Sequence, residues 1–274
     1  MATGPERRVS PMAQRARRIA GFSLVLLIVA GVGHRYGMVE TVAYFWILAL
    51  VAGLALLALG LAAGGFWRLW LYGEKAGKAS LAATVLAAIV LAPYAAGAYF
   101  VLRYPVLNDI STDLVEPPQF VLASARRSGA MNAIVPITRE AAALQTEHYP
   151  DVSGRRYDAS MSRVMNAAAA VIAARGWKPY ARLPLEAEHG EVSIELEAPT
   201  LLVRFPADAV LRLTDEGAST FVDMRLNTRY AKHDLGDNAR RIRAFMSDLD
   251  AEFARQSLEI IDIPASDEEE DPVD

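Results

Sequence analysis

"TVAYFWILALVAGLALLALGLAAGGF", residues 41–66, runs for 26 positions without a charged side chain. Crossing the hydrocarbon of a bilayer takes about 20 residues at a rise of 1.5 Å each. A helix that is apolar on every face has no side to show to water, so this stretch predicts a transmembrane helix. Downstream, "ASLAATVLAAIVLAPYAAGAYFVL", residues 79–102, is uncharged over 24 positions and predicts another. Upstream, "IAGFSLVLLIVAGVG", residues 19–33, has only 15 residues before His34 and Arg35. It suits a short span from which Arg35 reaches outward. It also suits the apolar part of a cleavable signal, with Arg15, Arg17 and Arg18 before it and Gly31 and Gly33 at its end. Two further spans follow at once and favour a retained anchor, giving three transmembrane helices at about 19–38, 41–66 and 79–102.

Charge divides the chain at the same place. Residues 1–103 hold ten Lys or Arg and three Asp or Glu, whereas residues 104–274 hold eighteen and twenty-nine. The acidic remainder repels phosphate backbones, which argues against nucleic-acid binding. With no cysteine, disulfides, thiolate metal sites and thiol nucleophiles are excluded. Positive charge gathers in the tail (Arg7, Arg8, Arg15, Arg17, Arg18) and in the second loop (Arg68, Lys75, Lys78), whereas the first loop carries only Arg35. The positive-inside rule then makes residues 1–18 a basic cytoplasmic tail and sends everything after residue 103 outside. The expected location is the bacterial inner (cytoplasmic) membrane, multi-pass, with the C-terminal domain periplasmic. Tyr44, Phe45, Trp46, Phe66, Trp67, Trp70, Tyr72, Tyr99, Phe100 and Tyr104 mark the headgroup levels. Gly60 and Gly64 make a small-xxx-small step, expected to pack within the same three helices. No charge lies inside the apolar stretches 19–33, 41–66 and 79–102, which argues against an ion or proton path.

Beyond the spans, residues 104–157 are rich in turn formers (Pro105, Pro117, Pro118, Pro136, Pro150 and "NDISTD" at 108–113) and predict an extended arm. Residues 158–256 predict an α+β extracytoplasmic domain. A helix near 159–175 puts Met161, Val164, Met165, Ala168, Val171 and Ile172 on one face. "VSIELE", 192–197, alternates as a strand with one wet face, and "TLLVRF", 200–205, predicts a second. "AVLRLT", 209–214, and "STFVDMRLNTR", 219–229, flank Asp215-Glu216-Gly217 as a hairpin. A final helix over about 235–254 carries the stripe Leu235, Ala239, Ile242, Met246, Leu249 and Phe253. The fold class expected is transmembrane helices followed by a two-layer sandwich of two helices on an antiparallel sheet. "SDEEEDPVD" belongs to an acidic, disordered tail, 257–274.

Alternation along 219–229 sends Asp223, Arg225, Asn227 and Arg229 to the face away from the helices, with Glu195, Glu197 and Arg212. This polar ladder is expected to lie open, held by cross-strand ion pairs. At the next corner Asp234 or Asp237 caps the last helix. Arg240, Arg241 and Arg243 at its start, and Asp248, Asp250 and Glu252 further on, oppose the helix dipole. Two explanations stand: pairing with Asp109 or Asp113 of the arm, or a small anionic ligand at the helix N-terminus near Arg225, Arg229 and Asn238. The candidate binding residues are therefore Arg225, Arg229, Asp234, Asn238, Arg241, Asp109 and Asp113.

No Gly-x-Ser-x-Gly, phosphate-binding Gly-rich loop or His-Glu-x-x-His occurs. His148, His189 and His233 are isolated in sequence, and nothing is spaced as a metal cage. No catalytic residue, metal or cofactor is assigned. The expected partners are the lipid bilayer and an envelope protein or small anion, which makes the chain a binding or assembly module. An envelope enzyme acting on an anionic substrate through the Arg/Asp corner is the alternative.

"NDISTD" followed by "PPQF", "HYPD" (148–151), "VDMR" (222–225) and above all "DLGDNARRIRAF" (234–245) resemble the family known as domain of unknown function 1499, over residues 105–253. The resemblance implies an anchored domain of unresolved biochemistry and supplies no catalytic residue. This chain departs from the family pattern at "VRFPADAV" (203–210) and "LNTRYAKH" (226–233).

Overall fold

A computed structural model describes residues 8–182 and 190–261, with side chains as far as Leu258. Arg7, His189 and residues 262–274 of the acidic tail lie outside the described residues, whereas residues 257–261, expected in that tail, continue the last helix. The chain forms two compact units. One comprises the residues up to Tyr104 together with Thr200–Phe205; the other comprises Pro105–Pro199 and Pro206 onward.

The first unit holds three helices long and apolar enough to cross a membrane: α1 (Pro11–Arg35), α2 (Thr41–Tyr72) and α3 (Gly77–Arg103). Helix α1 starts eight residues before the apolar stretch at 19–33, with Pro11 in the first turn, where its missing N–H costs no hydrogen bond. Small residues make the shared seam: Ala16 and Ala20 of α1, Val51, Ala55, Ala58 and Ala62 of α2, and Ala83, Ala87 and Val90 of α3. Steps of three and four keep each set on one face. Large side chains such as Trp46, Trp67 and Trp70 point outward. Small inside and large outside is the pattern expected where lipid, not water, surrounds the helices. The three helices leave no room for a side chain at Gly65, where a Cβ would lie 2.4 Å from Ser80 Oγ and 3.0 Å from Ala13 Cβ. The Gly60–Gly64 step contributes only half of what was expected: Gly64 meets Met12, and Gly60 faces open space. At the end away from the α1–α2 turn, residues 8–10 lie beside the α2–α3 turn, with Lys75 N–H donating to Arg8 O at 2.8 Å. Arg68 and Glu74 pair there at 2.6 Å.

The segment 200–205 is not a strand. Pro199 and Pro206 bracket it, and Arg204 turns the chain at φ 56°. A left-handed residue cannot continue a β-ladder, so the apolar run Leu201-Leu202-Val203 was misleading.

The second unit is an antiparallel sheet in the order β1-β6-β5-β4-β3, with β2 also on β6. The strands are β1 (Asp109–Ser111), β2 (Arg155–Tyr157), β3 (Lys178–Pro179), β4 (Glu191–Glu197), β5 (Ala207–Asp215) and β6 (Thr220–Thr228). Register aligns three apolar rows across β4, β5 and β6: Val192–Leu213–Val222, Ile194–Leu211–Met224 and Leu196–Ala209–Leu226. All nine are buried. The helices of this face are α6 (Met161–Ala174), with Val164, Ala168, Val171 and Ile172 buried, and α7 (Asp237–Ile261), with Ala239, Ile242, Phe245, Met246 and Leu249 buried. Helix α7 begins two residues later than the stripe suggested, because Leu235 and Gly236 both take positive φ, 60° and 73°.

The other sheet face is covered as well, by residues that the sequence read as an extended arm. They contain β1, β2, a four-residue helical turn α4 (Leu122–Ala125) and a ten-residue helix α5 (Arg139–His148) capped by Thr138, whose Oγ1 accepts from Ala141 N–H. β1 and β2 occupy successive parts of the same β6 edge, opposite 225–227 and 220–222. The free side of β1 is completed by the α5 side chain Gln145, whose Oε1 accepts from Ser111 N–H at 3.2 Å and whose Nε2 donates to Ser111 O at 2.6 Å. An amide side chain thus stands in for a neighbouring strand on an edge that would otherwise be open. Just before β2 the backbone comes so close that a Cβ on Gly154 would lie 2.7 Å from Val222 O.

Candidate functional site

The same register that builds the apolar rows builds polar ones on the opposite face: Ser193–Arg212–Asp223, Glu195–Val210–Arg225 and Glu197–Asp208–Asn227. Phe120 and Ala123 sit over Val210, with Ile134 and Tyr180 beside them. The ladder expected to lie open is therefore roofed, and its charges are paired with the roof.

Arg225 is 2% exposed as a side chain. Its guanidinium holds Asp109 with two hydrogen bonds, at 2.9 and 2.7 Å, and donates to Pro118 O at 3.2 Å and Val135 O at 3.0 Å. The Phe120 ring lies 5.2 Å from it. One side chain thereby fixes three points of the covering segment.

Arg212 binds Asp113 and Asp223, each at 2.8 Å, and Glu116 O at 2.9 Å. Thr112 Oγ1 donates to the other oxygen of Asp223 at 2.7 Å. Burial pushes the Asp113 carboxyl up, but the backbone N–H groups of Glu116 and Val115 and the Arg212 guanidinium outweigh it and hold it below its ordinary range.

Glu195 accepts from the backbone N–H groups of Val121, Leu122 and Ala123 at 2.9, 2.8 and 2.8 Å. The start of the short turn α4 is thus held by a carboxylate of the protein's own sheet.

The densest cluster was not foreseen. Asp208, fully buried, accepts from Arg127 at 2.9 and 2.6 Å, from Arg229 Nη2 at 2.8 Å and from the Tyr180 hydroxyl. Arg127 also reaches Asn132 O at 2.7 Å, and Arg126 stacks over the Tyr180 ring at 4.5 Å. Burial and the bond to Asp208 push the Tyr180 hydroxyl up. Burial pulls the Arg229 guanidinium down, but Asp208 more than reverses this and holds it above its usual value. Asp208 was legible in principle, since alternation on 207–215 places it with Val210 and Arg212. Arg127 and Tyr180 lie in segments without a periodic signal.

At the corner, Asp234 caps α7, accepting from Gly236 N–H at 2.9 Å and Asn238 N–H at 3.0 Å. Burial raises its pKa, and those two N–H groups offset part of the rise. Asn238 Nδ2 donates to Asn108 O and Thr228 Oγ1, both at 3.0 Å. Arg241 donates to Ala198 O and Pro199 O and lies 5.3 Å from the Trp177 ring. Burial pulls its pKa down to about 10, still well above neutrality.

The charges opposing the α7 dipole pair elsewhere than with Asp109 or Asp113. Arg240 binds Asp237, Arg243 binds Asp151 at 2.5 Å, Asp248 binds Arg175 at 2.6 Å, and Asp250 accepts from Tyr157 at 2.7 Å. All seven candidate residues are engaged with partners in their own unit; Arg241 Nη1 makes no hydrogen bond but lies 3.7 Å from Asp237 Oδ2 as an ion pair. Arg225 with Asp109 forms one cluster, Arg212 with Asp113 a second, Arg229 a third, and Asp234 with Asn238 a fourth. A base or nucleophile needs an accessible lone pair facing a substrate, and Asp208 has its oxygens filled by donors from three side chains. Among the described residues no three His, Asp or Glu converge to hold a metal ion.

The arrangement defines a class: an α+β domain with a roofed, internally neutralised polar sheet face, preceded by three helices able to cross a membrane. The chain belongs to the family described as "Protein of unknown function (DUF1499)", which matches residues 109–249. No curated protein and no solved structure matches it.

Proposed function

We propose that the chain is a non-catalytic binding or assembly module, anchored in the bacterial inner membrane with its N terminus cytoplasmic and its second unit periplasmic, and that it engages an envelope protein. The observation that carries this reading is the state of the Arg/Asp groups. Arg225, Arg229, Arg212 and Arg127 are each bound to carboxylates or carbonyls of their own chain. A small anion would have to displace Asp109 or Asp208 to bind, so a protein partner is favoured over an anionic ligand. The topology is supported by the joining of residues 8–10 to the α2–α3 turn, which gathers Arg8, Arg15, Arg17, Arg18, Arg68, Lys75 and Lys78 toward one end.

Two measurements test it. A reporter fused after residue 274 and active only outside the cytoplasm should be active; an inactive reporter overturns the orientation. A photoreactive side chain at exposed Val115 or Val121, in native membranes, should give a discrete protein adduct. Inorganic phosphate should leave the unfolding temperature of the purified full chain unchanged. A phosphate-dependent rise that Arg225→Ala abolishes would favour an anion site instead.

A further inference from the structure

The six residues Thr200–Phe205 belong with α1–α3 in one compact unit. They close on themselves: Thr200 N–H donates to Phe205 O, and Phe205 N–H donates to Thr200 Oγ1, both at 2.9 Å. The Phe205 ring is held among His34, Tyr44 and Phe45, with centroids 5.1, 5.7 and 5.5 Å away. The end of α1 binds the tip of the loop. Arg35 Nη1 donates to the carbonyls of Leu201 and Leu202, both at 2.6 Å. His34 Nδ1 lies 2.6 Å from Val203 O, a contact that requires the proton on that nitrogen. His34 Nε2 then faces Thr41 Oγ1 at 3.1 Å.

Three consecutive carbonyls are thus satisfied from behind, while Leu201 and Leu202 stand 86% and 80% exposed. In water this is unfavourable, because two large apolar side chains are held rigidly in solvent. Against lipid it is favourable, because irregular backbone approaches the apolar layer only when its polar groups are already bonded. The position fits. The loop is tied to the end of α1 where the α1–α2 turn exposes Tyr36 and Met38. In an antiparallel three-helix arrangement this is also the end at which Tyr99 and Phe100 of α3 and Tyr104 just after it form a chain of ring contacts. Aromatic rings prefer the headgroup level, and the guanidinium of Arg35 suits lipid phosphate there.

We infer that Leu201 and Leu202 form a membrane-inserting wedge that enters the interfacial layer of glycerophospholipids in the leaflet at the α1–α2 turn. The inference rests on reading α1–α3 as membrane spans. The wedge gives the polypeptide a lipid contact outside those three helices, and Arg35 and His34 set its depth.

The absence of cysteine allows single-site labelling of the full chain. Leu201→Cys and Leu202→Cys would carry a polarity-sensitive fluorophore in phosphatidylcholine/phosphatidylglycerol vesicles containing lipids with a nitroxide near the headgroup or deep in the acyl chain. Leu56→Cys, on the exposed side of α2, marks the bilayer interior, and Ser162→Cys, exposed on α6, marks water. Probes at 201 and 202 should shift to the blue and lose emission to the shallow nitroxide more than to the deep one. If the probe at 56 is quenched and those at 201 and 202 behave like 162, the wedge is overturned and the spans stand. If the probe at 56 is unquenched, the spans fail and the wedge with them. A blue shift at 201 without lipid quenching means that protein covers the leucines, which also overturns the wedge.

Discussion

Arg225 and Asp109 meet as a bidentate pair, Nε to Oδ1 at 2.9 Å and Nη2 to Oδ2 at 2.7 Å, across 116 residues of sequence. Removing one partner of a buried pair leaves the other charge uncompensated, at about 3–5 kcal/mol. Arg225→Ala should therefore lower stability to denaturant by that order, and also free the carbonyls of Pro118 and Val135. Replacing both partners by apolar residues of similar volume should cost less than Arg225→Ala alone. Denaturant unfolding of the full chain in micelles, followed by tryptophan emission, measures both. If Arg225→Ala leaves stability unchanged, the guanidinium is not holding the cover.

Gln145 is the second strut. Gln145→Leu keeps the volume but leaves the amide and carbonyl of Ser111 without partners, at about 1–3 kcal/mol. Hydrogen exchange should accelerate at Ser111 while the amides of α6 keep their protection.

Acid should loosen the same face through Asp113. A carboxyl whose folded pKa lies below the ordinary value of about 3.9 holds fewer protons folded than unfolded. Its contribution is complete above that unfolded value and is lost as pH falls through the lower, folded one. Asp113→Asn should be less stable than the native chain at pH 7 and should lose less on acidification below about pH 4. Unfolding midpoints measured from pH 7 to pH 3 check the slope; parallel curves would contradict it.

In the membrane unit, Gly65→Leu would force a side chain into Ser80 and Ala13 and should destabilise the three-helix packing by about 1–3 kcal/mol. Gly60→Leu, facing open space, should be tolerated. Thermal unfolding of the two variants in the same detergent separates them.

Long-period patterns were legible in the sequence. The uncharged runs gave α2 and α3, alternation gave β4 and β6, and the stripe from Ala239 to Leu249 gave α7. Each reports a surrounding averaged over many residues. What could not be read were contacts between distant segments. Nothing near Arg127 indicates that it meets Asp208, 81 positions away, and nothing in a proline-rich stretch signals the Gln145 amide beside β1. The polar ladder was correctly placed on the face away from the helices. Its cover was missed because a roof of turns has no period. At 200–205 the apolar run outweighed the flanking prolines, and a turn was read as a strand.

β6 draws its outer neighbours from residues 109–111 and 155–157, both made long before it. As the nascent chain lengthens, those segments emerge from the ribosome with no template to pair with. They must wait until residue 228 has been added before the edge they complete exists. Closure is therefore a late, long-range event, and such events are slow and leave unpaired strands vulnerable to aggregation. The interval before β6 arrives is when these two segments are most open to pairing with the wrong strand.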